Sequence, residues 1–384
     1  MNAADRTIRE AVLAYLKKYP VLAMTGPRQS GKTTFLKTVL PDYQYISLEN
    51  PDNRQFAKSD PNGFLTAYSN KVILDEVQQV PHLFSYIQSI VDDSGIMGQF
   101  ILSGSQNFHL MQSITQSLAG RVALFRLLPF DIAEMQQANL PLDDFAKVIV
   151  RGFYPALFDR DIPSKVFYVN YLSTYVERDV SELLQVRNSR QFRTFLSLCA
   201  GRAGQMLNLS SLANECGITQ PTAKSWLSVL ESSYIIFLLQ PYHENFNKRL
   251  VKTPKLYFYD TGLLAHLLKI TDGDKLKLHE KKGALFENMV IGEKVKQNYH
   301  RYLQQELYYW RDSNGNEVDL LILNDDGMDI YEVKATETIT TKLFDGLHKF
   351  EKLAGDRLHK KVLVYAGKTP QKRSYAEVRS WLDC

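Results

Sequence analysis

Residues Gly26 to Thr33 read GPRQSGKT, and no other stretch of this 384-residue chain restricts its fold as tightly. The octet fits G-x-x-x-x-G-K-[ST] at every fixed position. At average composition, a chance match in a chain this long arises on the order of one time in a hundred. An apolar run, Val21–Met24, precedes it and reads as a strand; Lys32–Val39 follows and reads as a helix. In that setting Gly26 and Gly31 let the loop turn its backbone N–H groups toward phosphate oxygens. The helix N-terminus adds positive potential at the same place. Lys32 reaches the β- and γ-phosphates and Thr33 ligates Mg²⁺. Pro27, Arg28, Gln29, Ser30 and Thr34 complete the expected cradle.

A second phosphate-type signal lies in KVILDEVQQ, where the apolar strand Val72–Leu74 ends in two acids. Asp75 stands where a carboxylate holds Mg²⁺ through water, and Glu76 where a base polarises the attacking water. By itself such a pair is equally well a solvated strand end; beside the first motif the functional reading prevails. A third strand, QFILSGSQN, ends in small polar residues, so Ser103 or Ser105 is placed to contact the γ-phosphate or the water. The helical segment HLMQSITQSLAGR and the strand VALFRLL follow, with Arg121 at their junction. Arg121 is either a charge reaching a neighbouring subunit's γ-phosphate or a cation capping the helix C-terminus.

These residues, a Walker A loop, a Walker B Asp-Glu, a polar strand end and then an arginine, resemble the AAA-plus ATPases. The likeness is strongest to the widespread prokaryotic group that opens GPRQ.GKTT. It covers roughly residues 1–135, and the later segments resemble the same group. The resemblance implies an α/β P-loop core of the ASCE type that binds ATP and Mg²⁺ at the C-terminal edge of its strands. It also implies a possible homo-oligomer.

Composition sets limits. The length calls for two or three domains. Hydrophobic residues at 45% and charged residues at 23% are ordinary for a soluble globular chain. The longest apolar runs, such as Tyr234–Leu239, are too short to span a bilayer, which excludes a membrane partner of that kind. The first twenty residues read as an amphipathic helix and lack the basic leader of a signal peptide. Three cysteines, Cys199, Cys216 and Cys384, have no metal-type spacing and fit a reducing, cytoplasmic setting. A net charge of +4 permits anionic partners without demanding them.

Residues 142–200 have helical periodicity, interrupted at Pro155. In the related ATPases this region is a helical lid, with Arg151, Arg178 and Asp179 as lid contacts or as surface ion pairs. Further on, Ser210 or Ser211 can start a helix that ends at Gly217, and Pro221 fits the first turn of a second one. Two strands around a basic loop (Asn247, Lys248, Arg249, Lys252, Lys255) then complete a winged helix-turn-helix. As a DNA-binding module it would turn Thr219, Gln220, Thr222, Lys224 and Ser225 to the major groove and the wing lysines to phosphate. As a scaffold it would do neither.

GLLAHLLKITDGDKLKLHEKK reads as a loop-rich connector, followed by the helix GALFENMVIGEKVKQNY and a hairpin with its turn at Asp326–Gly327. The second strand holds IYEVKAT, in which Glu332 and Lys334 share one face. At average usage about one or two Glu-x-Lys triplets arise by chance in such a length; here there are two. Glu280–Lys282 sits in a charge run with no partner acid and reads as a solvated linker. Glu332–Lys334 differs, because the hairpin can bring Asp319 beside it and Glu287 lies on the preceding helix.

The set Glu287, Asp319, Glu332-x-Lys334 resembles the PD-(D/E)xK nucleases. The resemblance implies an α/β restriction-endonuclease-like domain whose carboxylates hold Mg²⁺ and whose Lys334 orients water or neutralises phosphate charge. The expected organisation is a P-loop core at 1–140, a lid at 141–203, a winged helix-turn-helix at 204–260 and the nuclease-like domain at 261–384. The function implied is an ATPase, with Lys32, Glu76 and Arg121 as its catalytic residues. Its nucleotide state would control a DNA-acting domain with Glu332 and Lys334 at the chemistry. The alternative is an ATP-driven oligomeric switch that binds DNA or a protein partner without cutting.

Overall fold

Five short apolar segments build a parallel sheet: β1 (Val21–Thr25), β2 (Gln44–Ser47), β3 (Val72–Asp75), β4 (Phe100–Gly104) and β5 (Val122–Arg126). Their order across the sheet is β2-β3-β4-β1-β5. The structure is a computed structural model and describes residues 5–105, 114, 116–180, 189–243 and 252–384. It forms two compact units, one of Met1–Phe130, Ser232–Tyr234 and Tyr299–Leu303, the other of the remaining segments.

In the first unit both faces of the sheet are buried, as a parallel sheet requires. Val21, Ala23, Val72, Leu74, Phe100 and Leu102 pack on one side with the helix Leu83–Ser94. Leu22, Met24, Ile73, Ile101, Ala123 and Phe125 pack on the other, against Val12 of the helix Arg9–Leu16 and Phe35 and Leu36 of the helix Lys32–Val39. Successive side chains alternate between the faces. The segment expected as a helix before Arg121 lies largely outside the described residues; Ile114 and Leu118 within it are buried.

The second unit carries an eight-stranded sheet in the order β12-β13-β11-β10-β9-β8-β6-β7. Its strands are β6 (Ile236–Pro241), β7 (Lys255–Phe258), β8 (Glu306–Arg311), β9 (Glu317–Asn324), β10 (Gly327–Lys334), β11 (Leu358–Tyr365), β12 (Gln371–Lys372) and β13 (Glu377–Ser380). β8, β9 and β10 run antiparallel in series, whereas β11 is parallel to β10. The helix Asp345–Ala354 covers that junction, burying Leu347 and Phe350 against Trp310, Ile330 and Leu363. The hairpin turn is Asp325–Asp326, one residue earlier than expected, because Asn324 pairs with Gly327.

Before this sheet the chain runs through the helices Leu209–Cys216 and Gln220–Ser232 and the antiparallel pair β6–β7. Gly217, in the left-handed region at φ 66°, ends the first helix, but its N-cap is Asn208 and not a serine. Lys252 and Lys255 are described. The expected wing-loop residues Asn247, Lys248 and Arg249, and the side chains of Arg178 and Asp179, lie outside the described residues.

The segment expected as a loop-rich connector is instead two short helices, Thr261–Leu267 and Gly273–Leu278. Each is started by a capping aspartate, Asp260 and Asp272, whose side chain accepts the N3 backbone N–H. Asp260 does more. Buried, it also accepts from the Phe153 N–H at 2.8 Å and the Tyr168 hydroxyl at 2.6 Å. No helix among the described residues is long and apolar enough to cross a membrane.

Asp260→Ala strands the Leu263 and Phe153 N–H groups, whereas the Tyr168 hydroxyl keeps the Arg151 carbonyl at 3.2 Å. A stability loss of about 3 kcal/mol is expected, from one lost cap, one unmatched buried N–H and one weakened hydroxyl bond. The midpoint of urea unfolding measures it. A loss under about 1 kcal/mol would mean that the donors find other acceptors.

Candidate functional site

Because all strands of the first sheet point the same way, their C-terminal ends gather at one edge. The loop Gly26–Gly31 leaves β1 there. Gly26 adopts φ 148°, and a Cβ on it would stand 2.1 Å from the Leu127 carbonyl oxygen, so only glycine fits. Gln29 and Gly31 are also left-handed, at φ 64° and 92°. Ser30 donates its backbone N–H to the Pro27 carbonyl at 3.3 Å. Its hydroxyl is buried with no hydrogen-bond partner among the described residues. Arg28 pairs with Glu49 at 3.7 Å, and Thr34 is exposed. Lys32 starts the helix and donates to the Gly26 and Pro27 carbonyls at 2.8 and 2.9 Å. Burial brings its ammonium down to about 8, partly opposed by Glu76 and Asp75.

Asp75 closes β3, pairs in register with Ser103 of β4, and is buried. One carboxylate oxygen accepts from Thr33 Oγ1 at 3.1 Å and from the Tyr45 hydroxyl at 2.5 Å; the other accepts from Ser103. Glu76 turns the chain at φ 53° and accepts from Ser105 Oγ at 3.0 Å and from Gln78. The two serines are therefore divided, Ser103 on Asp75 and Ser105 on Glu76. Hard oxygen donors meet at Thr33 and Asp75, and the hydrogen-bond partners of Asp75 are neutral, three hydroxyls and the Glu76 N–H at 3.2 Å; this donor set fits Mg²⁺.

Two contacts at this edge had no motif to reveal them. Tyr45 comes from β2. Arg6 donates to the Ser30 and Leu128 carbonyls at 2.9 and 2.6 Å.

Arg121 stands elsewhere. It precedes Val122, which pairs with Val21 at the start of β1. A strand length of about 13 Å separates that end from the loop, so Arg121 does not reach its own nucleotide site. It forks onto Asp92 at 2.5 and 2.8 Å.

The second unit gathers another charged cluster. Asp319 near the start of β9 accepts the Val333 N–H at 2.8 Å, so a side chain takes over where the β9–β10 ladder stops. Lys334 Nζ lies 2.6 Å from Glu332 Oε1 and 3.4 Å from Asp319 Oδ2. Burial, then the Asp319 charge, push the Glu332 carboxyl up to about 8, with Lys334 opposing. Glu332 Oε2 is buried without a hydrogen-bond partner among the described residues. A Cβ on Gly346 would come within 2.8 Å of that oxygen and 2.7 Å of the Glu317 carbonyl, so the backbone packs here more closely than any residue but glycine allows.

Glu287, on the helix Lys282–His300, accepts from Lys255 at 3.1 Å and from the Tyr257 hydroxyl at 2.6 Å. Burial and Asp319 both raise its carboxyl. Lys255 also pairs with Glu317. Although burial pulls its ammonium down, the Glu287, Asp319 and Glu317 carboxylates hold it above its ordinary value. This corrects the expectation of Lys255 as an exposed wing lysine: its side chain is 3% exposed and committed to two acids.

A model described as an AAA domain matches residues 18–136 of the chain. Residues 142–274 and 282–381 each match a domain of unknown function, DUF8612 and DUF4143. The chain is 31% identical over 329 residues to the uncharacterized protein Rv2008c of Mycobacterium tuberculosis, covering 84% of this chain and 72% of that one. It is 24% identical over 309 residues to the uncharacterized protein MJ1637 of Methanocaldococcus jannaschii, covering 65% of this chain and 63% of that one. A solved Walker-type ATPase of Pyrococcus abyssi aligns with 68% of this chain and 95% of its own, at 16% identity and a TM-score of 0.41.

Two glycine substitutions separate steric from conformational demand at the loop. A Cβ on Gly95, at φ 60°, would meet nothing within 4 Å, so Gly95→Ala is expected to cost about 1 kcal/mol. Gly26→Ala adds the collision with Leu127 and is expected to cost about 3 kcal/mol. Equal shifts in thermal unfolding would remove the steric account of Gly26.

Proposed function

We propose a function from one premise: this chain belongs to the family of the mycobacterial protein Rv2008c and carries an AAA domain. In this reading it is a Mg²⁺-dependent ATPase whose nucleotide state regulates a DNA-acting, nuclease-like C-terminal domain. The observation that carries the second half is the buried Glu332 Oε2, which has no hydrogen-bond partner among the described residues and lies in the field of the Asp319 charge.

For the ATPase half, Lys32 would exchange its loop carbonyls for phosphate oxygens, and the Ser30 hydroxyl and loop N–H groups would add donors. Thr33 and Asp75 would hold Mg²⁺, which neutralises phosphate charge when bound. Glu76, oriented by Ser105, would accept the proton of the attacking water.

For the other half, Asp319 and Glu332 would hold a divalent ion that polarises a phosphate and acidifies water. Lys334 would turn from Glu332 toward the phosphate. The helices Leu209–Cys216 and Gln220–Ser232 with β6–β7 suit a winged helix, and Lys224 and Ser225 on its second helix are exposed for DNA.

One observation favours the second reading, a switch that binds DNA or a protein partner without cutting: Lys334 lies in direct contact with Glu332, at 2.6 Å.

Lys32→Ala and Glu76→Gln are expected to lower ATP turnover at least about 100-fold; turnover at the wild-type rate would remove the ATPase reading. Incubated with plasmid or single-stranded DNA, ATP and Mg²⁺ or Mn²⁺, the wild type is expected to cleave and Glu332→Gln to fail. Equal cleavage by both, or none by the wild type, leaves the switch.

A further inference from the structure

We propose that Lys255 is a resident cation of the C-terminal carboxylate cluster, and that its pairs with Glu287 and Glu317 limit the site to one divalent ion, held by Asp319 and Glu332. The proposal rests on the reading of Asp319 and Glu332 as metal ligands and adds the number of ions and the role of Glu287.

Four carboxylates, Glu287, Glu317, Asp319 and Glu332, belong to this cluster, enough to suggest a two-metal site in which ions stand about 4 Å apart. Their oxygens are not equally available. Glu317 spends one on Lys255 and the other on Arg311 Nη1 at 2.6 Å. Glu287 Oε1 accepts from both Lys255 and Tyr257. Those two acids are already matched by the buried Lys255, by Arg311 and by a phenol. Glu332 keeps an oxygen with no partner among the described residues.

The two lysines differ in the same sense. The Lys334 side chain is 35% exposed and can swing into solvent, freeing Asp319 and Glu332. That of Lys255 is 3% exposed, with its ammonium 5.5 Å from the centre of the Tyr309 ring. A second divalent ion on Glu287 and Glu317 would meet that buried positive charge. Lys255 thus supplies the charge a second metal would bring, and Glu287 positions Lys255 and does not ligate the ion.

Mn²⁺ titration of the full chain without nucleotide, followed by electron paramagnetic resonance, tests this. The wild type is expected to bind one Mn²⁺ that Glu332→Gln loses. Glu287→Gln is expected to keep that ion with affinity changed less than fivefold. Lys255→Met is expected to gain a second ion, lost again when Glu287→Gln is added. A loss of fivefold or more in Glu287→Gln, two Glu332-dependent ions in the wild type, or one ion only in a folded Lys255→Met overturns the proposal. Should Lys255→Met fail to fold, the Glu287→Gln affinity decides. A wild type with no Glu332-dependent ion overturns the metal reading itself, an outcome distinct from all of these.

Discussion

A buried ammonium ties the second unit together. Lys255 begins β7, Glu287 lies on the helix Lys282–His300, and Glu317 begins β9, so one charge joins three segments distant in sequence. Removing one partner of such a group typically costs about 3–5 kcal/mol, because the other charge is left in the interior. A pair of well-packed apolar residues would stabilise the same junction as well or better. The retention of charge therefore says more about what the cluster does than about how it is held. It leaves Glu332 as a carboxyl whose ionisation is opposed by burial and by the Asp319 charge, pushed up to about 8.

The first unit answers the same problem in the opposite way. Asp75 is as buried as Asp319, but its hydrogen-bond partners are neutral, the hydroxyls of Thr33, Tyr45 and Ser103 and the Glu76 N–H. Neutral donors satisfy a carboxylate without cancelling its charge, so the field of Asp75 remains available to a cation. Lys32 meanwhile spends its donors on carbonyls of its own loop. Charge of each sign is parked on groups that are easily exchanged, which is what a site for a charged ligand needs.

Much of this was legible from local pattern. The strand–loop–helix at Val21–Val39 and the shared face of Glu332 and Lys334 follow from spacing alone, and the structure has β1, the helix Lys32–Val39 and the Glu332–Lys334 contact there. What spacing does not carry is partnership across the sheet. Lys255 looked like one more basic residue of a wing, because its acids lie 32 and 62 positions away. Tyr45 had no signal, since a tyrosine on a half-buried strand is ordinary. The helices Thr261–Leu267 and Gly273–Leu278 were hidden by their shortness; only the capping residues Asp260 and Asp272 marked them, and a lone aspartate marks turns equally often.

Arg121 shows how topology limits chemistry. In a parallel sheet the start of β5 and the end of β1 lie at opposite edges, and no side chain spans a strand length plus the loop. An arginine at that end acts on a γ-phosphate only when the phosphate belongs to another copy of the chain. Its fork onto Asp92 is no obstacle, because both side chains are solvated and an ion pair in water is weak. The guanidinium also donates to the Ala119 carbonyl at 3.1 Å, so exchange of Asp92 for a phosphate would break only solvated contacts.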